Sequence, residues 1–230
     1  MKKVSALIVA AGRGTRMKSN LPKQFLPLDD RTVLFHSLHK FLALSIISEI
    51  ILIVPPEFLH SQLLRDSIPA SARIPVIPVA GGALRQESVQ NGLRAVDPRS
   101  TIVCIHDGVR PLIQPALIQK SIDLCTDYDG AVIAARIVNT LKEVVDGLVM
   151  RTLDRNQIWQ VQTPQTFRKD VITAAYNNAT GKQLTATDDA FFVEALGGRL
   201  AIVESTPWNI KITSPDDLLI ARALLKKDSS

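Results

Sequence analysis

Short apolar runs of strand length alternate with amphipathic stretches along most of the chain, and this alternation constrains the fold more than any other feature. The runs at 6–11, 50–54 and 102–105 are rich in Val, Ile, Leu and Ala. A strand, a helix and a second strand in succession form the βαβ unit, whose two strands lie parallel in one sheet. The sequence therefore predicts an α/β fold, with a mostly parallel twisted sheet and helices on both faces.

The same pattern places the individual elements. Strands are predicted at 6–10, 50–54, 75–79, 102–106, 131–136 and 200–203. Helices are predicted at 33–44, 57–66, 86–95, 115–126, 169–179, 188–196 and 215–226. The last helix has a clear start, because Ser214 offers an N-cap oxygen and Pro215 suits the first helical position. The whole chain, 1–230, is predicted to form a single Rossmann-like domain.

The segment 137–162 breaks this rhythm. It lacks a helical repeat, and Asp146-Gly147 is typical of a tight turn between two apolar-alternating strands. A β-arm that protrudes from an α/β core would expose strand edges and apolar groups, which a second copy of the chain would cover. We therefore expect a dimerisation arm at about 137–162 and a homodimer.

Composition argues against several classes of protein. No apolar run approaches the roughly 18 residues needed to cross a membrane, and the first four residues show no signal-peptide pattern. The two cysteines do not suggest a disulfide framework, and Cys104 is expected to be a small buried hydrophobe. The net charge of +5 fits small polyanions as well as it fits nucleic acid, but Lys and Arg are spread along the chain and 5% of residues are aromatic, so no nucleic-acid signature stands out. A cytoplasmic protein without membrane or nucleic-acid partners is predicted.

The most specific local feature is the loop after the first predicted strand, Ala10-Ala11-Gly12-Arg13-Gly14-Thr15-Arg16-Met17, followed by Pro22-Lys23-Gln24. Glycines after a buried strand let backbone N–H groups point at an anion. Met17 stands where a dinucleotide-binding loop has its third glycine, and no Gly-Lys-Ser/Thr follows as in a P-loop. Arg16 and Lys23 instead supply full positive charges, which suits phosphoryl or nucleotidyl transfer.

Further motifs follow in order along the chain. They are Gly81-Gly82 with Arg85 and Ser88, His106-Asp107-Gly108-Val109-Arg110-Pro111, Asp154-Arg155-Asn156, Gln162-Thr163-Pro164-Gln165, Thr187-Asp188-Asp189 and Asn209-Ile210-Lys211-Ile212-Thr213. With the glycine loop they resemble the nucleotidyltransferases that activate sugar and polyol phosphates, and among these the 2-C-methyl-D-erythritol 4-phosphate cytidylyltransferase family of the non-mevalonate isoprenoid route. The resemblance extends from residue 4 to about residue 225. It implies an enzyme that joins CMP from the co-substrate CTP to the polyol phosphate, with Mg²⁺ and with release of pyrophosphate.

The resemblance also implies a role for each motif. It places Arg16, Lys23 and Lys211 at the reacting phosphates as catalytic cations. Nucleotide contacts are implied for Ala10, Ala11, Gly12, Gly14, Gly81, Gly82, Arg85, Ser88, Asp107 and Gly108. Acceptor contacts are implied for Thr140, Arg155, Thr163, Thr187, Asp107 and Arg110, with Thr140 and Arg155 reaching across a dimer.

Residue chemistry alone leaves alternatives at several of these positions. Asp107, at the end of the fourth predicted strand, would face Mg²⁺ or a ribose hydroxyl, and no side chain is assigned firmly to a metal. Arg110 suits a second phosphate or a structural ion pair, and His106 is assigned to packing. Lys211 alternates with two isoleucines, which predicts a strand whose lysine faces away from their side.

Three other functions stay open at this point. Asn139 stands where family members commonly have Asp, so the acceptor could be ribitol 5-phosphate or a related polyol phosphate. A catalytically silent nucleotide-binding regulatory protein is a second alternative, against which the three cations Arg16, Lys23 and Lys211 argue. A nicotinamide-dependent oxidoreductase is the weakest, because the third glycine of its fingerprint is missing.

Overall fold

The computed structural model describes residues 3–12, 14–17 and 19–228. Arg13 of the glycine loop, and Met1 and Lys2 at the start of the chain, lie outside the described residues. The strands are β1 (Val4–Val9), β2 (Ile47–Val54), β3 (Val76–Ala80), β4 (Ile102–Asp107), β5 (Gly130–Arg136), β6 (Lys142–Val145), β7 (Leu148–Thr152), β8 (Trp159–Arg168) and β9 (Leu200–Ser205). The helices are α1 (Val33–Leu42), α2 (Gln62–Ser67), α3 (Arg85–Ala95), α4 (Pro115–Leu124), α5 (Lys169–Gly181), α6 (Ala190–Glu194) and α7 (Pro215–Asp228). Within the described ranges, no helix has the length and apolar character needed to cross a membrane.

Seven strands form one sheet in the order β3-β2-β1-β4-β8-β5-β9. β1 pairs in parallel with β2 and β4, β2 with β3, and β5 with β9, whereas β8 runs antiparallel between β4 and β5. The predicted mostly parallel α/β sheet is confirmed. The strand order reverses between β1 and β4, and the crevice at the carboxyl ends of such strands is where open α/β sheets bind ligands.

Helices cover both faces of this sheet, as predicted. Ala6 and Ile8 of β1 lie in a buried cluster with residues of α1, α2 and α4. Leu7, on the opposite face of the same strand, lies in a second cluster with residues of α3, α5 and α6. Each fully buried aliphatic side chain of this kind contributes about 1.5–3 kcal/mol relative to exposure. Cys104 is fully buried in the first cluster, as predicted, and burial raises the pKa of its thiol to about 12.

β8 was not predicted, because its residues 160–166 are mostly polar and include a proline. Thr163, Gln165 and Thr166 are nevertheless buried. Their polar groups have partners inside the protein, such as the Oγ1 of Thr166, which lies 2.7 Å from the Oγ of Ser121. Burial of polar groups that are satisfied in this way costs little, and it leaves no apolar pattern in the sequence.

The predicted turn at Asp146-Gly147 is confirmed. β6 and β7 form a separate two-stranded antiparallel hairpin, and both turn residues have positive φ, at 50° and 80°, as the commonest two-residue hairpin turn requires. The predicted extent of the arm was wrong at its end, because residues 159–162 belong to β8, and 159–161 pair with β5. Leu148 and Met150 are 69% and 62% exposed, so the hairpin presents apolar side chains to its surroundings.

The strand predicted around Lys211 was wrong. Residues 206–214 form an irregular loop before α7, in which the N–H of Ile212 donates to the carbonyl of Val109 (2.9 Å) and joins no strand ladder. The predicted cap of α7 is confirmed, because the Oγ of Ser214 accepts a hydrogen bond from the N–H of Asp217 at 3.3 Å.

Candidate active site

A cavity of about 240 Å³ lies where β1 and β4 end, at the reversal of the strand order. Its walls come from residues 9–12, 23–24 and 82–85, with Ser88, Asp107, Val109 and Lys211. The structure therefore brings together the glycine loop, the Gly-Gly segment, the end of the fourth strand and the loop before α7. These segments are far apart in the sequence.

A wider groove of about 940 Å³ lies on another surface, between the start of β4 and α5. Its charged groups are already paired: Arg168 binds Asp170 at 2.9 Å, and the Nζ of Lys169 donates to the carbonyls of Asp97 and Pro98. This groove has no carboxylate surrounded by cations, whereas the cavity at the strand ends does.

Gly81 and Ser88 bring the Gly-Gly segment against the glycine loop. A Cβ added at Gly81 would lie 2.3 Å from the Cβ of Ala11, so this approach requires glycine. The Oγ of Ser88 accepts a hydrogen bond from the N–H of Gly82 (3.0 Å) and donates to the carbonyl of Leu84 (3.1 Å). Ser88 thus fixes the shape of the cavity wall, and Gly82 lines the cavity directly.

Gly14 turns the glycine loop toward Lys23. Its φ of +66° is in the left-handed region, and a Cβ there would lie 3.0 Å from the Cγ of Lys23. Gly12 lines the cavity, whereas the predicted nucleotide contacts Gly14, Gly81 and Gly108 do not.

Lys23 is the buried cation of the site. Burial, followed by repulsion from Lys211 and Arg16, lowers the pKa of its ammonium to about 8, against the attraction of Asp107 and Asp217. Lys23 is 9% exposed, while Arg16 is exposed. Both other predicted catalytic cations therefore act electrostatically on Lys23, which lies in the cavity wall, while Arg16 is exposed to solvent.

Asp107 is surrounded by cations. Its Oδ2 lies 2.9 Å from the Nζ of Lys211 and 3.6 Å from the Nε of Arg110, and its Oδ1 lies 3.5 Å from the Nε of Arg85. Burial alone would raise the pKa of this carboxyl, but Arg85, Lys211 and Arg110 hold it well below its usual range. Asp107 is therefore ionised at neutral pH, and the surrounding cations outnumber it, which suits a polyphosphate ligand.

The guanidinium of Arg85 is bound by Asp189, a residue to which the sequence assigned no role. Its Nη1 and Nη2 donate to the two carboxylate oxygens of Asp189 at 2.9 and 2.8 Å, and Tyr176 donates its hydroxyl to the same carboxylate at 2.5 Å. Burial disfavours the charged guanidinium, but Asp189 raises the pKa of Arg85 above its ordinary value. Thr187, the residue that was predicted from the motif Thr187-Asp188-Asp189, is exposed and does not line the cavity.

Thr163 and His106 hold the backbone of Asp107 through hydrogen bonds. The N–H of Asp107 donates to the Oγ1 of Thr163 (3.0 Å), which lies 3.1 Å from the Nδ1 of His106. The Nε2 of His106 lies 3.1 Å from the carbonyl of Arg110, so Nε2 carries the proton and Thr163 donates to Nδ1. Burial lowers the pKa of His106 to about 4, and its ring packs on Phe41. The prediction that His106 serves packing is confirmed.

The predicted acceptor residues are dispersed in a single chain. Thr140 and Arg155 are exposed at the base of the arm, where Arg155 donates to the carbonyl of Val138. The Arg110 guanidinium is mostly buried and donates to the carbonyl of Asn209 at 2.7 Å, which matches the structural alternative considered for it. Neither Thr140 nor Arg155 lines the cavity within this chain.

Comparisons with known proteins agree on one family. The family model described as 2-C-methyl-D-erythritol 4-phosphate cytidylyltransferase matches residues 4–227. A relative of that name from Syntrophus aciditrophicus is 42% identical over 231 residues, which cover 98% of this chain and 97% of the relative. Another from Syntrophotalea carbinolica is 43% identical over 226 residues, which cover 96% of each chain.

Solved structures give the same result. The 4-diphosphocytidyl-2C-methyl-D-erythritol synthase of Anaerococcus prevotii matches with a TM-score of 0.85 at 30% identity, over 98% of this chain and 99% of that one. The 2-C-methyl-D-erythritol 4-phosphate cytidylyltransferase of Thermus thermophilus matches with a TM-score of 0.80 at 32% identity, over 98% of this chain and 100% of that one.

Proposed function

The chain belongs to the 2-C-methyl-D-erythritol 4-phosphate cytidylyltransferase family, and we propose that it performs the family's reaction in the cavity between β1 and β4. It is a nucleotidyltransferase of the non-mevalonate isoprenoid route. It converts CTP and 2-C-methyl-D-erythritol 4-phosphate to 4-diphosphocytidyl-2-C-methyl-D-erythritol and pyrophosphate. The observation that carries the location is the cavity wall itself, where Lys211 lies 2.9 Å from Asp107 and the buried Lys23 experiences repulsion from Lys211 and Arg16.

The proposed mechanism is direct in-line displacement. An oxygen of the acceptor phosphate attacks the α-phosphorus of CTP, a new P–O bond forms, and the bond from the α-phosphorus to the bridging oxygen breaks. The bonding electrons leave with pyrophosphate. The acceptor phosphate is already ionised near neutral pH, so the reaction needs no general base from the protein.

Lys23, Lys211 and Arg16 stabilise the charge that develops on the equatorial oxygens. The lowered pKa of Lys23, about 8, supports this role, because it shows an ammonium that burial and other cations already disfavour. A triphosphate that neutralises this repulsion binds where positive charge is held in place before the reaction begins. Such preorganised cations lower the barrier because they need no rearrangement in the transition state.

The nucleoside would lie against the glycine loop. Ala10, Ala11 and Gly82 form a wall of small residues beside which a flat base fits, and their backbone groups can bind its polar edge. Asp107 is the one carboxylate that lines the cavity among the described residues. It would accept a hydrogen bond from a ribose hydroxyl or bind the metal.

A Mg²⁺ ion fits this site only together with the nucleotide. The described residues contain no group of three or more His, Cys, Asp or Glu side chains that could hold a metal. Mg²⁺ is commonly held by one or two carboxylates, several waters and substrate phosphates. Asp107 would supply the carboxylate, and the metal would screen the charge of the triphosphate.

A homodimer would complete the acceptor site. The exposed apolar side chains of the hairpin, among them Leu148 and Met150, support an interface there. We propose that Thr140 and Arg155 bind the acceptor phosphate across that interface. Thr163 and Arg110 face structural partners in this chain, so their predicted acceptor contacts are less favoured.

We also propose that residues 1–230 act as a single domain in the cytoplasm, a location that the low cysteine content favours.

Purified protein with CTP, Mg²⁺ and each acceptor in turn tests this function. We expect pyrophosphate release with 2-C-methyl-D-erythritol 4-phosphate and little with ribitol 5-phosphate, despite Asn139. Release with ribitol 5-phosphate alone would overturn the acceptor. Folded protein that binds CTP and releases no pyrophosphate with either acceptor would overturn the activity.

A further inference from the structure

Lys211 lies in the irregular loop 206–214. Its side chain is 38% exposed, so packing of the side chain alone does not fix its ammonium beside Asp107. A flexible lysine can stabilise a transition state only if its position is fixed beforehand. The backbone on either side of Lys211 must therefore hold it.

Asn209 ties this loop to β8. Asn209 is 3% exposed, and its Nδ2 donates to the Oε1 of Gln162 and to the carbonyl of Thr163, both at 3.0 Å. The Nε2 of Gln162 in turn donates to the carbonyl of Thr206 at 2.9 Å. The start of the loop is thus fixed at two points to the strand that also carries Thr163, the partner of Asp107.

The residues that flank Lys211 are also tied to the segment after β4. The carbonyl of Asn209 accepts from the Nη1 of Arg110 at 2.7 Å, and the N–H of Ile212 donates to the carbonyl of Val109 at 2.9 Å. Ile212 is fully buried. Lys211 therefore lies between two anchors on the segment that directly follows Asp107, which explains how an irregular loop keeps its Nζ 2.9 Å from that carboxylate.

We propose that Asn209 is a positioning residue that holds Lys211 in the cavity. This inference rests on the proposed catalytic role of Lys211. Asn209 touches neither the cavity nor Asp107 in the contacts above, so it acts through the backbone. An aspartate at this position would place its carboxylate oxygens against two acceptors, Gln162 Oε1 and the Thr163 carbonyl. The repulsion between these oxygens would release the loop.

Lys23 reports whether Lys211 has moved. Repulsion from Lys211 helps to lower the pKa of Lys23 to about 8, after burial, while Arg16 also lowers it and Asp107 and Asp217 raise it. If Lys211 turns out to solvent, this repulsion is lost and Asp107 is left free to attract Lys23. Both changes raise the pKa of Lys23. A residue that only stabilised the fold would leave that pKa unchanged.

The test compares Asn209→Ala and Asn209→Asp with the wild type. The matched control is Ser121→Ala, which also removes two buried side-chain hydrogen bonds but lies on α4, outside the cavity wall. We expect kcat to fall about 10²-fold in both Asn209 variants. KM for CTP should change much less, because the lost interaction belongs to the transition state. An NMR titration of the lysine side chains should show an upward shift for Lys23.

The outcomes separate this inference from the function it rests on. Turnover retained in Lys211→Ala would overturn the proposed role of Lys211 itself. Loss of turnover in Lys211→Ala together with near-normal kcat and an unchanged Lys23 pKa in Asn209→Ala would overturn the role of Asn209 alone. If the Asn209 variants do not fold, Gln162→Met removes one acceptor of Asn209 while leaving the asparagine in place. A smaller fall in kcat with the same shift at Lys23 would then support the inference, and no change would refute it.

Discussion

Replacing Lys23 with methionine should make the protein more stable and nearly inactive. Methionine keeps the apolar stem that packs near Gly14 and removes the charge. The pKa of Lys23 falls from 10.5 in the unfolded chain to about 8 in the folded one. The unfolded chain therefore binds more protons between about pH 8 and pH 10.5, and the charged form of Lys23 opposes folding below this window.

The size of both effects follows from this shift. At about 1.4 kcal/mol per pKa unit, with allowance for solvent screening, the charge destabilises the folded state by about 2–3 kcal/mol at pH 7. Loss of one preorganised cation typically lowers kcat by about 10²–10³, or about 3–4 kcal/mol of transition-state stabilisation. Lys23 would thus be a case in which a catalytic residue lowers stability.

Urea unfolding between pH 7 and pH 11, with pyrophosphate release at pH 7, measures both effects. The wild type should gain stability as the pH rises through the window from about 8 to 10.5, and Lys23→Met should lack this rise. The stability difference between the two proteins should therefore shrink with rising pH. A variant that is less stable at pH 7, or that keeps near-normal turnover, would refute the reasoning.

Three further predictions concern the cavity wall at Gly81, the hydrogen bond from Tyr176 to Asp189, and the hairpin formed by β6 and β7. Gly81→Ala should raise KM for CTP in steady-state assays, because its Cβ would lie 2.3 Å from that of Ala11; an unchanged KM would contradict the close approach. Tyr176→Phe should cost about 1.5–3 kcal/mol in denaturant unfolding, because Asp189 loses a buried hydrogen bond; a neutral result would count against that network. Leu148→Glu should disrupt the proposed interface at the hairpin, because it places a charge on an exposed apolar position. Ultracentrifugation should then show monomers, and the pyrophosphate assay should show little turnover. A fully active monomer would rule out a shared site.

The layered fold could be predicted because apolar periodicity records burial directly. β1, β4 and α5 follow from runs of Val, Ile and Ala that alternate with amphipathic stretches. β8 could not be predicted in this way. Its buried residues are polar, and their burial depends on partners such as Ser121, which lies 45 residues away in the sequence.

The site shows the same division. Lys23 and Lys211 stand in motifs that carry their own chemical signal, and the structure brings both to Asp107. Asp189 and Asn209 also stand in motifs, but their residue types do not reveal their roles, because an aspartate or asparagine in a loop is usually solvated. Their roles arise from burial and from hydrogen bonds to residues about 50 to 100 positions away, which only the folded chain brings together.

A structure of the protein with Mg²⁺ and a non-hydrolysable CTP analogue would test the central claim most directly. The account predicts the base beside Ala10, Ala11 and Gly82 and the α-phosphate within hydrogen-bonding distance of the Nζ atoms of Lys23 and Lys211. An analogue bound in the groove beside α5, or one whose α-phosphate contacts neither lysine, would contradict it.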